Sequence, residues 1–256
     1  MTQPEQQFWQ QYWGDHPVTV TAATMTQILD RIKLEYLKAL LPRTGRTLEV
    51  GCGSARLSCW LAQGGFQTAC LDFSTNALKS AQANYRNARV QGQFITGQGT
   101  QLPIRDNSQD IVLSTGLLEH FPDPDPIVRE MVRVLKPGGL FYSDIVPKKF
   151  SLFRSLDWLG RLKRSFAGPQ DDGFFERAFT AEQIRALLED AGLSRIEVFP
   201  AGVVPPYLPI LSRSTKLRNA QVKVVDWTQR LWKACDRTWL ADWLGFYYFA
   251  SGMKAT

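Results

Sequence analysis

Thr47-Leu-Glu-Val-Gly-Cys-Gly-Ser-Ala55 is the most informative stretch of this chain, together with Asp72 at the end of the next apolar run. An apolar segment leads into a turn at Gly51 and Gly53, and glycine lets a backbone bend tightly and come close to a ligand. Asp72 follows Gly53 by 19 residues, and an acid at this spacing can accept hydrogen bonds from both hydroxyls of a ribose. The pattern predicts a nucleoside site across the tips of the first two strands of a doubly wound α/β sheet.

The residues around the turn distinguish two classes of cofactor. A dinucleotide fingerprint needs a third glycine at position 56, where this chain has Arg56. Glu49 stands two residues before the first glycine, and a carboxylate there repels a pyrophosphate and attracts an ammonium group. The turn therefore favours a cofactor with a cationic amino group, while a structural turn without a ligand stays open on this evidence alone.

The bulk composition predicts one sizeable domain, with room for an added lobe, since the chain has 256 residues of which 44% are apolar. The first seven residues lack the basic patch and apolar core of a signal peptide. No apolar run approaches the roughly 20 residues of a membrane span. The cysteines show neither metal-ligand spacing nor disulfide density, and they predict reduced thiols in a cytoplasmic protein. They are Cys52, Cys59, Cys70 and Cys235.

The excess positive charge lies entirely in the second part of the chain. Residues 1–147 carry 13 basic and 13 acidic side chains, whereas residues 148–256 carry 17 and 11. This excess can attract an anionic substrate, an anionic membrane surface or a nucleic acid. Ordinary solubility charge explains it equally well.

Apolar strand-like runs alternate with helical patterns, which is typical of a parallel sheet with crossover helices. Strands are predicted at about 46–50, 66–72, 92–96, 110–114, 140–146, 194–199 and 244–252, with helices at 24–41, 55–63, 74–86, 126–135 and 180–192. Lys136-Pro-Gly-Gly139 predicts a stop between the fourth of these helices and strand five. Thr180 and Gln183 have the spacing of a capping box.

Glu49-Val-Gly-Cys-Gly-Ser-Ala55 resembles the E-x-G-x-G-x-G motif of class I S-adenosylmethionine-dependent methyltransferases, with Ala55 at the last glycine. Later segments, in the same order, resemble the small-molecule, methyltransferase type 11-like branch of that family. They are Leu102–Asp110, Leu117–Asp123, Arg129–Phe141 and Phe179–Gly192. The similarity covers about residues 45–200. It implies a Rossmann-like, seven-stranded, mostly parallel sheet and S-adenosylmethionine as the cofactor.

The resemblance also assigns cofactor contacts. It puts Glu49 and the turn Gly51-Cys52-Gly53 near the methionine part, Asp72 on the ribose and Phe73 against the adenine. Thr115, Gly116 and Leu117 follow strand four, and we expect them beside the sulfonium. After strand three the family has G-D-A, and this chain has Gly97-Gln98-Gly99. A Gln carbonyl can accept the same adenine hydrogen bond without charge, so Gln98 and Gly99 remain cofactor candidates.

Catalysis of methyl transfer depends mainly on in-line alignment. For a hydroxyl acceptor, His120 is the candidate base, with Glu119 beside it; the alternative is a structural Glu-His pair. Some relatives hold Mg²⁺ with an E-x-x-E-H cluster, but Gly116 replaces the first Glu here. The ligand set is short, so no metal is predicted. No [N/D]-P-P-[Y/F] motif follows strand four, which weighs against an enzyme that methylates nucleic-acid bases.

Six regions are predicted along the chain. They are an N-terminal helical cap (1–44), the cofactor-binding core (45–147), a basic amphipathic insertion (148–178), a core helix and strand (179–200), an aromatic amphipathic insertion (201–243) and the last strand (244–256). The segment Phe8–Trp13 is expected to fold over the cofactor. Each helical insertion follows a strand on the substrate side. The basic helix at 148–164 can be a lid, a membrane contact or an ordinary packed helix.

The second insertion has an amphipathic helix at about 214–240, with one stripe formed by Leu217, Val224, Trp227, Leu231 and Cys235. We predict a cytoplasmic methyltransferase for a small, apolar acceptor such as a quinone, lipid, isoprenoid or polyketide-like metabolite, with peripheral contact at an anionic membrane as an option. Two alternatives remain. One is an RNA or protein methyltransferase that docks through the basic second half. The other is a non-catalytic protein that binds the cofactor.

Overall fold

A computed structural model describes residues 3–15, 25–145, 176–203 and 215–256. One sheet of seven strands organises them, in the order β3-β2-β1-β4-β5-β7-β6. The strands are β1 Arg46–Val50, β2 Gln67–Asp72, β3 Gln93–Thr96, β4 Gln109–Thr115, β5 Leu135–Ile145, β6 Leu193–Ala201 and β7 Tyr247–Lys254. β7 is antiparallel to both of its neighbours, and the pairs among β1 to β5 are parallel. The predicted doubly wound, mostly parallel sheet is confirmed.

Helices cover both faces of the sheet. They are α1 Gln3–Asp15, α2 Met25–Lys38, α3 Arg56–Gln63, α4 Thr75–Ala88, α5 Asp125–Val134, α6 Ala181–Asp190, α7 Thr215–Lys233 and α8 Trp239–Leu244, with a 3₁₀ turn at Leu118–His120. α5 and α6 pack on one face around Ile127, Met131 and Leu188. α2, α3 and α7 share the apolar layer on the other face, around Ile32 and Tyr142. Because β1 to β5 run parallel, their carboxyl ends all lie along the same open edge of the sheet.

Strand five begins earlier than predicted. Lys136-Pro-Gly-Gly139 lies inside β5 rather than before it, because Gln109 pairs with Leu135 and Ile111 next pairs with Leu140. The extra residues of β5 are accommodated in an irregularity at which Gly138 has a φ of 72°. The Pro-Gly-Gly segment does bend the backbone as predicted, but the bend interrupts strand β5 instead of preceding it.

The last strand begins later than predicted, at Tyr247 rather than Leu244. Leu244 ends α8, which starts at a cap where the Thr238 hydroxyl accepts from the Leu240 N–H at 3.3 Å. The helix expected at 214–240 is thus two helices, α7 and α8. The basic segment 148–164 lies outside the described residues, so neither its helix nor its stripe is observed.

The apolar stripe predicted in the second insertion faces solvent along α7. The buried side of this helix carries Val222, Val225 and Gln229 instead. Two ion pairs to α2, Arg31 with Asp226 and Glu35 with Lys233, hold the helix in this rotation. In the parts of the chain that the structure describes, no helix is long and apolar enough to cross a bilayer.

Candidate functional site

The glycine turn after β1 has a left-handed backbone. Gly51 and Gly53 have φ values of 64° and 51°, and Ala55 takes the same region at 51° as the N-cap of α3. A Cβ on Gly51 would lie 2.5 Å from Leu117, and one on Gly53 would lie 2.4 Å from Trp13. Larger residues would therefore both strain the turn and fill the space above it.

Asp72, at the end of β2, is tied to this turn. Its Oδ2 accepts a hydrogen bond from the Gly53 N–H at 2.9 Å, and its Oδ1 accepts one from the Ser74 N–H at 2.8 Å. Burial raises the pKa of this carboxyl, while the backbone donors from Ser74 and Gly53 act against the rise. Each carboxylate oxygen keeps acceptor capacity for a ribose hydroxyl.

Glu49 lies beneath the turn and is almost fully buried. Its Oε2 accepts from the Ser58 N–H at 3.1 Å, and the Thr115 hydroxyl donates to Oε1 at 3.4 Å. Burial raises the pKa of Glu49 to about 7. A buried carboxyl of this kind gains from a cationic ligand, because the ligand supplies the missing counter-charge.

One cleft of about 910 Å³ brings together the residues predicted to contact the cofactor. The sequence candidates that line it are Glu49, Gly51, Cys52, Gly53, Asp72, Phe73, Gln98, Gly99, Thr115, Gly116, Leu117 and His120. Glu119 does not line the cleft. Polar groups and aromatic side chains that line the same cleft suit a ligand with a nucleoside and a charged tail.

α1 covers the cleft with two indole rings, Trp9 and Trp13. Gln10 anchors the helix to the start of α4: its Nε2 donates to the Thr75 hydroxyl at 2.8 Å, and its main-chain carbonyl accepts from Asn76 Nδ2 at 2.9 Å. The Trp9 ring meets the edge of the His120 ring at 4.7 Å between centroids. The N-terminal aromatic segment therefore forms a wall of the cleft.

Sequence reasoning missed an ion-pair network beside the cleft. Arg56 donates through Nε to Asp30 Oδ2 at 2.6 Å, and both side chains line the cleft. Lys33 lies 3.6 Å from the same aspartate and 2.6 Å from Asp144. The available signal was an acid on the apolar face of α2, where Asp30 is only 5% exposed. Arg56, which stands where a dinucleotide fingerprint needs glycine, is thus held by an ion pair with Asp30.

Glu119 lies behind the wall of the cleft. Its Oε1 is 3.7 Å from where a Cβ on Gly116 would be, and its Oε2 has no hydrogen-bond partner among the described residues. Burial, followed by the nearby Asp144, raises the pKa of Glu119 to about 8. His120, the next residue, does line the cleft. Within the described ranges, no group of three or more His, Cys, Asp or Glu side chains could hold a metal ion.

The residues present fit the cofactor that the motif implies. A cradle without Cβ atoms, an acid with spare acceptors and a buried carboxyl beside it match the backbone, ribose and ammonium contacts of S-adenosylmethionine.

Comparisons with known proteins show the family of this chain. Residues 48–143 match the family model described as "Methyltransferase domain". A ubiquinone biosynthesis O-methyltransferase of Xanthomonas axonopodis pv. citri is 31% identical over 176 residues, which cover 66% of this chain and 72% of that protein. The enzyme of the same name from Xanthomonas oryzae pv. oryzae is 36% identical over 129 residues, covering 48% of this chain and 54% of its own length. The alignment thus spans only about half of this second relative.

A solved structure from Thermotoga maritima, described as a SAM-dependent methyltransferase and possible histamine N-methyltransferase, superposes with a TM-score of 0.56. It is 20% identical, and the match covers 90% of this chain and 91% of that one. A likeness at this identity concerns the fold alone. The sequence relatives carry the assignment further: the chain belongs to the class I S-adenosylmethionine-dependent methyltransferases, and S-adenosylmethionine is its cofactor.

Proposed function

We propose that this methyltransferase methylates a hydroxyl oxygen of a small, largely apolar acceptor, such as a quinone, lipid, isoprenoid or polyketide-like metabolite. The observation that carries the proposal is the aromatic lining of the cleft, to which Trp9, Trp13 and Phe121 contribute together with the glycine turn. Apolar rings above a polar cradle favour an acceptor with an apolar body and one reactive polar group. The names of the sequence relatives support oxygen as the methylated atom.

For the cofactor, we assign Asp72 to the ribose hydroxyls, Glu49 to the ammonium end and Phe73 to the adenine. Gln98 and Gly99 are placed near the adenine amino group, and the turn Gly51–Gly53 along the methionine part. Thr115, Gly116 and Leu117 follow β4 and are assigned to the sulfonium side. The support is that all of these residues line a single cleft.

When bound, S-adenosylmethionine supplies a methyl group on a sulfonium that is already a good leaving group. The chain then has to align the acceptor and remove its proton. We assign the proton to His120, because this ring faces the cleft and packs against Trp9. Glu119 is assigned to position the loop rather than to meet the acceptor, since its carboxyl lies behind Gly116.

We place the enzyme in the cytoplasm, with access to an anionic membrane surface. The four cysteines of the chain, all within the described residues, are free thiols, which supports a reducing compartment. An apolar acceptor such as a lipid or quinone would be met at a membrane, so a peripheral position suits the proposed substrate class.

The function is tested by incubating the pure protein with methyl-labelled S-adenosylmethionine and an extract of its source organism. Label that enters the organic phase is the expected result for an apolar acceptor. Label in the aqueous or acid-insoluble fraction would contradict it and would favour RNA or protein as the acceptor. No transfer to any fraction, with intact cofactor binding, would favour a non-catalytic protein.

The cofactor assignment is tested with Asp72→Ala, for which we expect at least about tenfold weaker cofactor binding by calorimetry, because a charge-assisted hydrogen bond is lost. Asp190→Ala, an exposed acid at the end of α6, is the matched control and should bind normally. Because Asp72 also holds Gly53, the melting temperature without cofactor must be recorded for each variant. Unchanged affinity in a folded Asp72→Ala protein would remove the ribose assignment.

A further inference from the structure

We propose that the outward face of α7 and α8 docks the enzyme on a membrane surface that contains anionic phospholipid. This face is built on an outer stripe formed by Leu217, Val224, Trp227 and Leu231, which share one side of α7 at helical spacing. Their exposed fractions are 50%, 55%, 85% and 73%. Apolar side chains that are clustered and this open to solvent mark an interaction site rather than ordinary surface.

The exposure of the outer stripe follows from the way α7 packs on the domain. The other side of α7 is already seated in the core, with Val225 and Val222 only 1% and 5% exposed. Asp226 pairs with Arg31, and Lys233 pairs with Glu35, so polar contacts at two points are consistent with the same rotation. Turning the stripe inward would break both pairs and expose the buried valines. The helix therefore has two apolar sides, and only one is used within the described chain.

The charges beside the stripe identify its partner. Lys216, Lys223 and Arg230 follow each other at intervals of seven residues and form a row along one flank of the stripe. None of them makes an ion pair with a described residue. The acid of α7 is Asp226, which lies between the row and the buried side of the helix and is paired with Arg31 of α2. An apolar stripe flanked by unpaired cations is the pattern of a helix that lies in the headgroup region of an anionic bilayer.

The same row argues against a second copy of this chain as the occupant. Two copies that met through the outer stripe in a symmetric pair with antiparallel α7 helices would bring their rows of cations towards each other. Like charges at such a contact lower its affinity, whereas anionic headgroups would neutralise them. The membrane surface is the occupant that satisfies both the apolar stripe and its charged flank.

α8, the next helix along the chain, adds two more exposed indole rings. Trp239 is 74% exposed and Trp243 is 57% exposed. Tryptophan is favoured at the boundary between headgroups and acyl chains, since its ring is apolar and its N–H remains a donor. Three exposed tryptophans on consecutive helices thus fit a shallow insertion and do not require a membrane-spanning segment.

The test is co-sedimentation of the full chain with vesicles of phosphatidylcholine, with or without phosphatidylglycerol. We expect binding to the anionic vesicles, weakened by added salt. Trp227→Ser with Leu231→Ser should weaken it about tenfold or more, and so should Lys216→Gln with Lys223→Gln and Arg230→Gln. The matched controls are Leu40→Ser, and Lys79→Gln with Arg86→Gln and Arg105→Gln, which alter exposed side chains elsewhere and should bind as wild type does.

Several outcomes would overturn the docking surface. They are no binding of the wild type to anionic vesicles, equal binding to vesicles of phosphatidylcholine alone, or equal loss in variants and controls. A dimer in light scattering that the stripe variant dissociates would assign the face to a second copy instead. Vesicle binding is measured without methyl transfer, so the result stands apart from the proposed acceptor. Cofactor affinity of every variant serves as the check on folding.

Discussion

Glycine is required at different positions of this chain for different physical reasons, and substitutions can measure the difference. Gly51 has a φ of 64° and Leu117 fills the space where its Cβ would be, at 2.5 Å. Gly65 has a φ of 90° and nothing within 4 Å of its Cβ position. A left-handed backbone costs an L-residue about 1–2 kcal/mol. A larger residue at position 65 would bear only that cost, whereas one at position 51 would also collide with Leu117 in the wall of the cleft.

We therefore expect Gly65→Ala to lower the free energy of unfolding by about 1 kcal/mol and to leave cofactor affinity unchanged. Gly51→Ala should lower stability more and weaken the cofactor at least about tenfold, because Leu117 must move. Chemical denaturation and calorimetry on the two variants measure both quantities. Equal cofactor affinity in the two would mean that the turn does not contact the ligand.

Glu49 should make cofactor binding depend on pH. Its pKa is about 7 because of burial, so near pH 6 the carboxyl is mostly neutral and must lose a proton to pair with an ammonium group. Affinity for S-adenosylmethionine should rise between about pH 6 and 7.5, by up to roughly tenfold. Glu49→Gln should flatten this profile and bind more weakly at the upper end. A profile with the same slope in wild type and Glu49→Gln would contradict the ammonium assignment.

The position of a residue in the cleft could be predicted where one local stretch carries it. Glu49, the glycines and Asp72 belong to adjoining elements, so the motif alone brings them together in one cleft. The pair of Asp30 with Arg56 could not be predicted, because its two residues stand 26 positions apart on different helices. The place of Glu119 in the loop does not predict whether its carboxyl lines the cleft, because this depends on the fold of the backbone around Gly116. In the structure, Glu119 is buried and does not line the cleft.

Among the helices, α1 gives the sharpest prediction. Gln10 ties it to α4, and Trp13 reaches the glycine turn from it. Gln10→Ala removes the side-chain part of that tie. We expect cofactor binding to weaken about threefold to tenfold, while the free energy of unfolding of the core changes little, since a net hydrogen bond contributes about 1 kcal/mol. Hydrogen exchange should rise in α1 alone.

Gln7→Ala changes an exposed glutamine on the same helix and is the matched control. It should match wild type in both affinity and exchange. If Gln10→Ala also left affinity untouched, α1 would be an appendage beside the cleft and no part of the cofactor site.

Sequence periodicity predicts where a helix or strand lies more readily than it predicts which side of a helix is buried. Apart from the start of β5, the strands and helices α2 to α6 lie within a few residues of their predicted bounds, because caps or breakers such as the Thr180–Gln183 capping box mark their ends. The rotation of α7 could not be predicted. It carries apolar side chains on two sides, and the choice between them depends on Arg31 and Glu35 of α2. Periodicity identifies an apolar side but not its partner.

The sheet as a whole gathers acids at its open edge. Glu49, Glu119 and Asp144 come from different elements, and burial raises the pKa of each, to about 7 for Glu49 and about 8 for Glu119. Lys33 lies against Asp144 and compensates part of this charge. A cationic cofactor would supply further positive charge next to these acids. The architecture that forms the cleft thus makes the cofactor-free protein sensitive to pH.

The folded chain should therefore lose stability as pH rises from about 5 to 8. Glu49 and Glu119 hold protons in the folded state at pH values where the unfolded chain, with a carboxyl pKa near 4.5, has released them. The stability linked to these protons is complete below pH 4.5 and is lost as pH passes the folded pKa values. Asp110 and Glu130, whose pKa values are lowered, act only at more acid pH.

Urea unfolding of the cofactor-free protein at about pH 5, 6, 7 and 8 measures this dependence. Glu119→Gln should reduce the fall, because a neutral amide has no proton to lose, and saturating S-adenosylmethionine should reduce it through Glu49. Glu182→Gln alters an exposed acid on α6 and should keep the wild-type slope. A free energy of unfolding that stays level or rises over this range would show that the edge carboxyls are ionised without a ligand, and the electrostatic argument for a cationic cofactor at Glu49 would fail with it.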